Sequence, residues 1–329
     1  LALSPRLSDA ASLERLWVEE LFWNHRSPLL IAYEMSRANA GGFLRLPEVF
    51  LRRLDLIAEA GKRRNALMMG ECADVLAALD CPATALKGAW LVANDVYPDA
   101  MRMFGDVDIA VDPTTSRTYV VRTLEALGYK YRDVGDPDHL VFQREKPSMR
   151  LYDGLPALRE PTPNFDAHLK MIDKTFFVEV HYSLDPTGCL RRPLSFHADH
   201  SDDGAWHLLL LCYHLCKHDF AHAYGVVDIA LLLSSPLVDR SLFLLLVEDY
   251  GCQDVCAAAF GIVERCFGHA MLPPPMDALR PRRAFRRGEA LGLMPVLRPH
   301  PTMRGRWLSA TLRRSIPAYY RTTIRTLDP

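Results

Sequence analysis

Two aspartates separated by one residue are the side chains of this sequence with the clearest capacity for chemistry. Asp106 and Asp108 lie within residues 104–111, Phe-Gly-Asp-Val-Asp-Ile-Ala-Val, whose β-branched residues predict a buried strand. Strand side chains alternate between faces, so the two carboxylates project from the same side. A divalent cation would relieve their repulsion, and Mg²⁺ is often held by such carboxylates together with substrate phosphates. The pair indicates phosphoryl-type chemistry, although an isolated Asp-x-Asp also fits a solvated strand end.

A third acid is expected on a neighbouring strand, because two-metal phosphoryl or nucleotidyl transfer uses three acidic ligands. Residues 176–182, Phe-Phe-Val-Glu-Val-His-Tyr, supply Glu179 and place His181 on the same strand face. An ionised glutamate in so apolar a strand is costly if it is buried without a partner. Glu179 is therefore expected either at an exposed cleft or beside a cation.

Three further residues suit phosphate binding. Lys87 and Gly88 follow a predicted strand and open a predicted helix, where glycine permits close backbone approach and helix amides favour phosphate. Arg102 lies four residues before Asp106, in the loop that leads to the predicted metal strand. Its guanidinium suits a triphosphate. Each residue also has an ordinary interpretation as a surface lysine, a helix-opening glycine or a loop arginine.

Histidines concentrate between residues 197 and 222, which hold six of the twelve in the chain. His207, His214 and His218 share one face of a predicted helix. His214 and His218 have the i,i+4 spacing that a metal site can use. The interpretation we favour is a polar stripe that faces the cleft and contacts acceptor, nucleotide or Asp228, with one or two histidines buried in the core.

The residues so far resemble one family. The run from Leu86 to Val111, followed by Glu179-Val-His181, is similar to the uncharacterised nucleotidyltransferase branch of the DNA polymerase β-like superfamily. The resemblance extends through His139 into the helical half at His214, Lys217, His218 and Asp228.

This resemblance implies a Mg²⁺-dependent (or Mn²⁺-dependent) enzyme that moves a nucleoside monophosphate from an NTP to a hydroxyl or similar acceptor and releases pyrophosphate. It implies that Asp106, Asp108 and Glu179 are the catalytic metal ligands. Lys87, Gly88, Arg102 and His181 would bind the nucleotide. Weaker candidates for substrate contact are His139, His214, His218 and Asp228. The acceptor is expected to be a small molecule or peptide.

Two other functions stay open at this point. One is a nucleotide-binding or partner-binding module of the same fold without transfer activity. The other is a modifier of RNA or peptide recruited by the basic end of the chain, residues 277–329, which contain twelve Arg, no Lys and three acids. The chain has 32 Arg and only 7 Lys, so this basic end also fits internal or solvated use. Nucleic acid is the less favoured acceptor.

Composition places the chain among ordinary globular proteins, with 49% hydrophobic and 24% charged residues and a formal net charge of −1. The apolar runs are too short to span a bilayer, and the opening residues lack a signal-peptide pattern. Eight cysteines without a Cys-x-x-Cys spacing predict free thiols rather than a zinc site. We expect a cytoplasmic protein.

The hydrophobic pattern predicts the elements that must position these residues. Helical periodicity covers 9–36 and 46–80, and short strands then alternate with helices. Predicted strands are 83–86, 106–111, 129–133, 139–145 and 175–183, with helices at 88–96 and 113–127. A proline-rich insertion, 146–174, precedes the last strand, and helices follow at 205–218, 225–235, 240–250 and 253–267.

The predicted fold class is α+β. A small mixed-sheet nucleotidyltransferase core, residues 83–190, is flanked by an N-terminal helical segment, 1–82, and by a C-terminal helical domain with an Arg-rich end, 191–329.

Overall fold

The computed structural model describes residues 48–97, 104–145, 175–185, 203–218 and 223–267, together with Ala40, Arg102, 190–192, 194–197, Met276 and Leu279. Three predicted features lie outside these residues. They are the helix at 9–36, the insertion at 146–174 and, apart from Leu279, the Arg-rich end.

Five strands form one mixed sheet. They are β1 (Ala83–Ala85), β2 (Val107–Val111), β3 (Lys130–Arg132), β4 (His139–Glu145) and β5 (Thr175–His181). The order across the sheet is β1-β2-β5-β4-β3. Only the β2/β5 pair is parallel, and the other three pairs are antiparallel. The predicted mixed sheet is confirmed.

Strand β2 lies inside the sheet because its sequence can be buried on both faces. All five of its residues are buried, including Asp108. Val107, Ile109 and Val111 share one face, whereas Asp108 and Ala110 share the other. Strand β5 repeats this alternation, with Val178 and Val180 against the core. The apolar residues of both strands therefore fix the register in which the polar residues meet.

Seven helices accompany the sheet in the described part of the chain. They are α1 (Glu48–Ala78), α2 (Lys87–Ala93), α3 (Arg117–Ala126), α4 (Gly204–Lys217), α5 (Ala223–Leu233), α6 (Arg240–Tyr250) and α7 (Gln253–Phe267). Helices α1 to α3 contact the sheet strands, and α4 contacts α5, α6 and α7. This arrangement confirms the α+β class, whereas the boundaries at residues 82 and 190 stay a prediction.

One continuous hydrophobic core joins the sheet to the helical half. It runs from Met68 and Val75 on α1, through Val107 and Val180 of the sheet, to Phe260 on α7. Helix α4 is buried along twelve of its residues, which include His207. A helix with twelve of its 14 residues buried belongs in the centre of such a core. Among the described helices, none combines the length and the apolar character needed to cross a membrane.

Two helix boundaries differ from the predicted ones by three residues or more. The helix predicted at 113–127 begins at Arg117, because the Asp112 carboxylate accepts the Thr114 backbone N–H at 2.9 Å and holds a turn there. Ser116 then accepts the Tyr119 N–H and caps α3. The helix predicted at 88–96 ends at Ala93, one residue before Asn94, whose backbone N–H bonds to the Trp90 carbonyl.

Helix α2 approaches the segment before β2 so closely that it requires a glycine. A Cβ added at Gly88 would lie 2.6 Å from Cβ of Phe104, which is buried. Cβ of Phe104 is attached directly to the backbone and cannot rotate away. Gly88 thus allows α2 to pack beside the strand that carries Asp108.

We predict that Gly88→Ala lowers the free energy of unfolding by about 1–3 kcal/mol, the usual cost of forcing extra volume into a packed core. Gly70→Ala is the matched control. Gly70 is exposed within α1, and no atom lies within 4 Å of its added Cβ. The control should be stabilised by about 0.4–1 kcal/mol. Urea denaturation of both variants measures the difference, and an equal effect would contradict the close packing.

Candidate functional site

Asp108 is a buried carboxylate with two cationic or hydrogen-bonding partners. It is 4% exposed, and its Oδ1 lies 2.6 Å from Lys87 Nζ and 2.9 Å from His181 Nε2. Burial alone would raise the pKa of Asp108. The Lys87 charge and the His181 hydrogen bond outweigh burial, so that this pKa lies well below its usual range. Asp108 is therefore ionised and balanced by Lys87.

Lys87 reaches Asp108 from an uncommon backbone conformation. Its φ is +49°, in the left-handed region that a lysine rarely adopts. The backbone N–H of Leu86 bonds to the Asp108 carbonyl at 2.9 Å, which ties this junction to β2. Burial lowers the pKa of Lys87, but the Asp108 charge raises it more, and the net result is an increase. This junction therefore places the charged ammonium of Lys87 beside Asp108.

Glu179 faces the same region from the neighbouring strand. It is the register partner of Asp108 in the parallel β2/β5 pair. Its Oε2 lies 2.9 Å from His139 Nε2 and 3.8 Å from His181 Nε2. Burial raises the pKa of Glu179, while the His139 hydrogen bond and other contacts outweigh burial and lower it overall. Glu179 is a carboxylate beside two imidazoles.

Asp106 precedes β2 by one residue and completes the group of acids. Burial, together with the negative charges of Asp108 and Glu179, raises its pKa to about 6. Asp106 is the one of these three acids whose pKa is raised overall. The structure therefore brings together the three acids that the sequence analysis named.

His139 and His181 are opposite one another in the antiparallel β4/β5 pair. Their rings stack at 4.5 Å between centroids, with 10° between planes. Burial lowers the pKa of His181. Nitrogen and oxygen donors of His139, Glu179 and His181 all lie within 4.8 Å of one another, which makes this trio a candidate metal site within the described residues.

The end of α4 adds nitrogen groups to the same region. Burial and repulsion from Lys87 hold the pKa of His214 well below its usual value. The His218 ring is 4.4 Å from the His214 ring. His207, by contrast, is a core residue that stacks on Trp90 at 3.8 Å. His214 and His218 therefore lie at the end of α4 that is near Lys87, whereas His207 lies in the core.

Lys217 is a residue that the sequence analysis did not assign to the site. Burial and then repulsion from Lys87 lower its pKa, whereas Asp108 and Glu179 act in the opposite direction. Lys217 therefore lies within electrostatic reach of Asp108 and Glu179. Its position between His214 and His218 in the sequence is the signal that could have identified it.

Arg102 and Asp228 are joined to each other by a buried ion pair. Arg102 Nε lies 2.7 Å from Asp228 Oδ1, and a second guanidinium nitrogen lies 2.9 Å from Oδ2. Tyr97 donates its hydroxyl to the same carboxylate. The guanidinium also lies over the Tyr224 ring, 4.5 Å from its centroid. These contacts connect the segment before β2 to α5.

The backbone of Arg102 is also held by a hydrogen bond. Its carbonyl accepts a hydrogen bond from the Asn65 side chain of α1 at 2.9 Å. Burial lowers the pKa of Arg102, but Asp228 raises it more strongly, so the guanidinium stays charged. These contacts pair the Arg102 guanidinium with the Asp228 carboxylate inside the protein. Nucleotide contact by Arg102 and substrate contact by Asp228 stay predictions.

Acids on two adjacent strands of a mixed sheet, with Lys87 beside them, suit chemistry on phosphates. A family model described as uncharacterised nucleotidyltransferase matches residues 24–268. This match covers well over half of the chain, so the chain belongs to that family and is a transferase by its membership. No curated protein and no solved structure matches the chain.

We predict that Arg102→Met lowers the free energy of unfolding by about 3–5 kcal/mol, because it leaves the Asp228 charge buried without its partner. The double variant Arg102→Met, Asp228→Leu should lose less than the two single variants together. Urea denaturation of all three variants provides the measurement.

The control for this cycle is Arg63→Ala, which removes an exposed ion pair with Glu59 on α1. It should change stability by no more than about 0.5 kcal/mol. If Arg102→Met were as stable as this control and only weakened nucleotide binding, Arg102 would be a phosphate ligand instead.

Proposed function

We propose that this protein transfers a nucleoside monophosphate from an NTP to a hydroxyl or similar group on a small molecule or peptide, with release of pyrophosphate. The observation that carries the proposal is the convergence of Asp108 and Glu179 as register partners, with Asp106 beside them and Lys87 paired to Asp108. Family membership supports the same reaction class.

The donor atoms of this group fit a divalent cation. Carboxylate oxygens are the ligands that Mg²⁺ and Mn²⁺ prefer. The negative charges of Asp108 and Glu179 help to raise the pKa of Asp106, and a bound cation would offset this repulsion. Asp106, Asp108 and Glu179 are the residues we propose as its ligands. A bound ion would neutralise negative charge on the phosphates as the transfer proceeds.

Glu179 is the proposed acceptor of the proton in this reaction. The acceptor oxygen attacks the α-phosphorus, and its proton passes to a carboxylate oxygen of Glu179. The bond from the α-phosphorus to the bridging oxygen breaks, and pyrophosphate leaves with that oxygen. His139 donates to Glu179 Oε2 and so holds that carboxylate in place. Lys87 supplies positive charge for the phosphate oxygens.

Four further residues have supporting roles in this proposal. Gly88 lets α2 pack against Phe104 and so places Lys87. His181 donates to Asp108 and orients it. His214 and His218, at the end of α4, are proposed to contact the nucleotide or the acceptor. Recruitment of RNA or peptide by the Arg-rich end stays a prediction, because that end lies outside the described residues.

Asp106→Asn, Asp108→Asn and Glu179→Gln should each reduce transfer by about a thousandfold or more, since a metal ligand supplies several kcal/mol of transition-state stabilisation. The measurement uses Mg²⁺ and each of the four NTPs, labelled at the α-phosphate or at the γ-phosphate. Candidate acceptors are pooled small metabolites, peptides and RNA. Label should move to an acceptor from the α-position only, with equimolar pyrophosphate.

The control for these variants is Asp74→Asn, an exposed acid on α1, which should retain wild-type transfer. Equal activity in Asp74→Asn and Asp106→Asn would remove the catalytic assignment. Binding of NTP without transfer to any acceptor pool, and without dependence on Mg²⁺, would instead favour a nucleotide-binding module.

Lys217→Gln should raise the dissociation constant for a non-hydrolysable NTP about tenfold, the effect of losing one charge-assisted phosphate contact. Titration calorimetry with Mg²⁺ measures this change. Lys130→Gln is the matched control, because Lys130 is exposed on β3. Equal affinities of the two variants would place Lys217 outside the nucleotide site.

A further inference from the structure

We infer that His139, Glu179 and His181 form a binding site for a borderline transition-metal ion such as Zn²⁺ or Fe²⁺. This site shares Glu179 with the proposed Mg²⁺ ligands Asp106 and Asp108 but differs from them in donor chemistry. The role of such an ion in transfer rests on the proposed function. Its binding does not, because binding is measured without nucleotide.

The strand register brings the three side chains to one face of the sheet. His139 is the register partner of His181, and Glu179 precedes His181 by two residues on the same strand. All three therefore project from the same side of β4 and β5. A backbone arrangement of this kind holds donors on rigid strands rather than on loops.

The distances suit a small metal ion. Nε2 of His139 and Nε2 of His181 lie 2.9 and 3.8 Å from the same Glu179 oxygen. Metal bonds of about 2.0–2.2 Å place neighbouring ligand atoms roughly 3.0–3.5 Å apart. These two separations bracket that range. Because the two rings are stacked with 10° between their planes, both rings would rotate so that their nitrogen lone pairs converge on one ion.

The donor types select the ion. Two imidazole nitrogens and one carboxylate oxygen suit Zn²⁺, Fe²⁺ and similar ions, whereas Mg²⁺ requires oxygen ligands. Three protein ligands leave positions open for water or substrate. The site lies beside Asp108, to which His181 Nε2 also donates at 2.9 Å. An imidazole nitrogen that binds a metal has no proton to donate, so metal binding would release this hydrogen bond and also the one from His139 Nε2 to Glu179.

The experiment uses the untagged full chain, stripped of metal with a chelator and titrated with Co²⁺ alone. Visible absorption measures the stoichiometry and the dissociation constant. Proton NMR of the Co²⁺ protein counts the strongly shifted, solvent-exchangeable N–H signals of metal-bound imidazoles. We expect one tight ion per chain and two such signals, with competition by Zn²⁺ but not by an equal concentration of Mg²⁺.

His139→Gln should remove one of the two signals and weaken Co²⁺ binding at least about tenfold, because even the hydrogen-bond partners of metal ligands have effects of that size. His139 is about one quarter exposed, so this variant should fold, and circular dichroism checks that it does. The control is His197→Gln, which replaces an exposed histidine outside the trio and should preserve both signals.

Two results would overturn the inference. One is Co²⁺ binding without shifted imidazole signals. The other is binding that is lost in Asp106→Asn but unchanged in His139→Gln, because the ion would then be held by carboxylates and the histidines would only orient them. Absence of nucleotidyl transfer with Mg²⁺ would count against the proposed function alone, since the Co²⁺ measurements involve no nucleotide.

Discussion

The buried ion pair between Lys87 and Asp108 is the interaction on which the site depends. A carboxylate at 4% exposure in a five-residue apolar strand is stable only when its charge is balanced. The ammonium at 2.6 Å provides that balance and requires a lysine with φ of +49° at the junction between β1 and α2. Backbone strain of this kind is kept where the surrounding structure determines it.

The order of the strands places further charged and imidazole groups beside this ion pair. Because β5 lies between β2 and β4, Glu179 is next to Asp108 on one side, while His181 is opposite His139 on the other. Each acid then has a nearby nitrogen group, and each histidine has a nearby carboxylate. The cluster is therefore held by mutual contacts, and the pKa values of Asp106, Asp108, Glu179 and His181 depend on their neighbours.

The helical half contributes contacts that hold Arg102, which precedes β2. Arg102 joins Asp228 of α5, Tyr224 of the same helix and, through its carbonyl, Asn65 of α1. These contacts hold Arg102, four residues before Asp106, from two directions. A displacement of α5 would act directly on the segment that carries the first acid, so the two halves of the chain are mechanically connected at this point.

Much of the fold could be predicted from the hydrophobic pattern, because periods of two and of about three and a half residues differ clearly over 10-residue segments. Strands β4 and β5 begin where predicted, and α6 and α7 match to the residue. The beginning of α3 was less predictable, since the Asp112 turn competes with the first helical turn for the same backbone groups.

The sequence by itself identified residues that the structure brings together: the Asp106 and Asp108 pair, Glu179 in an apolar strand, and Lys87 with Gly88. Spacing on a single strand suffices to place Asp106 and Asp108 on one face, because alternation of side chains is a local property. Only the tertiary structure decided which residues are partners. Arg102 and Asp228 are 126 residues apart, Asp108 and His181 are 73 apart, and His139 joined the acids through strand pairing. Long-range partners depend on strand order and helix packing, which local patterns do not encode.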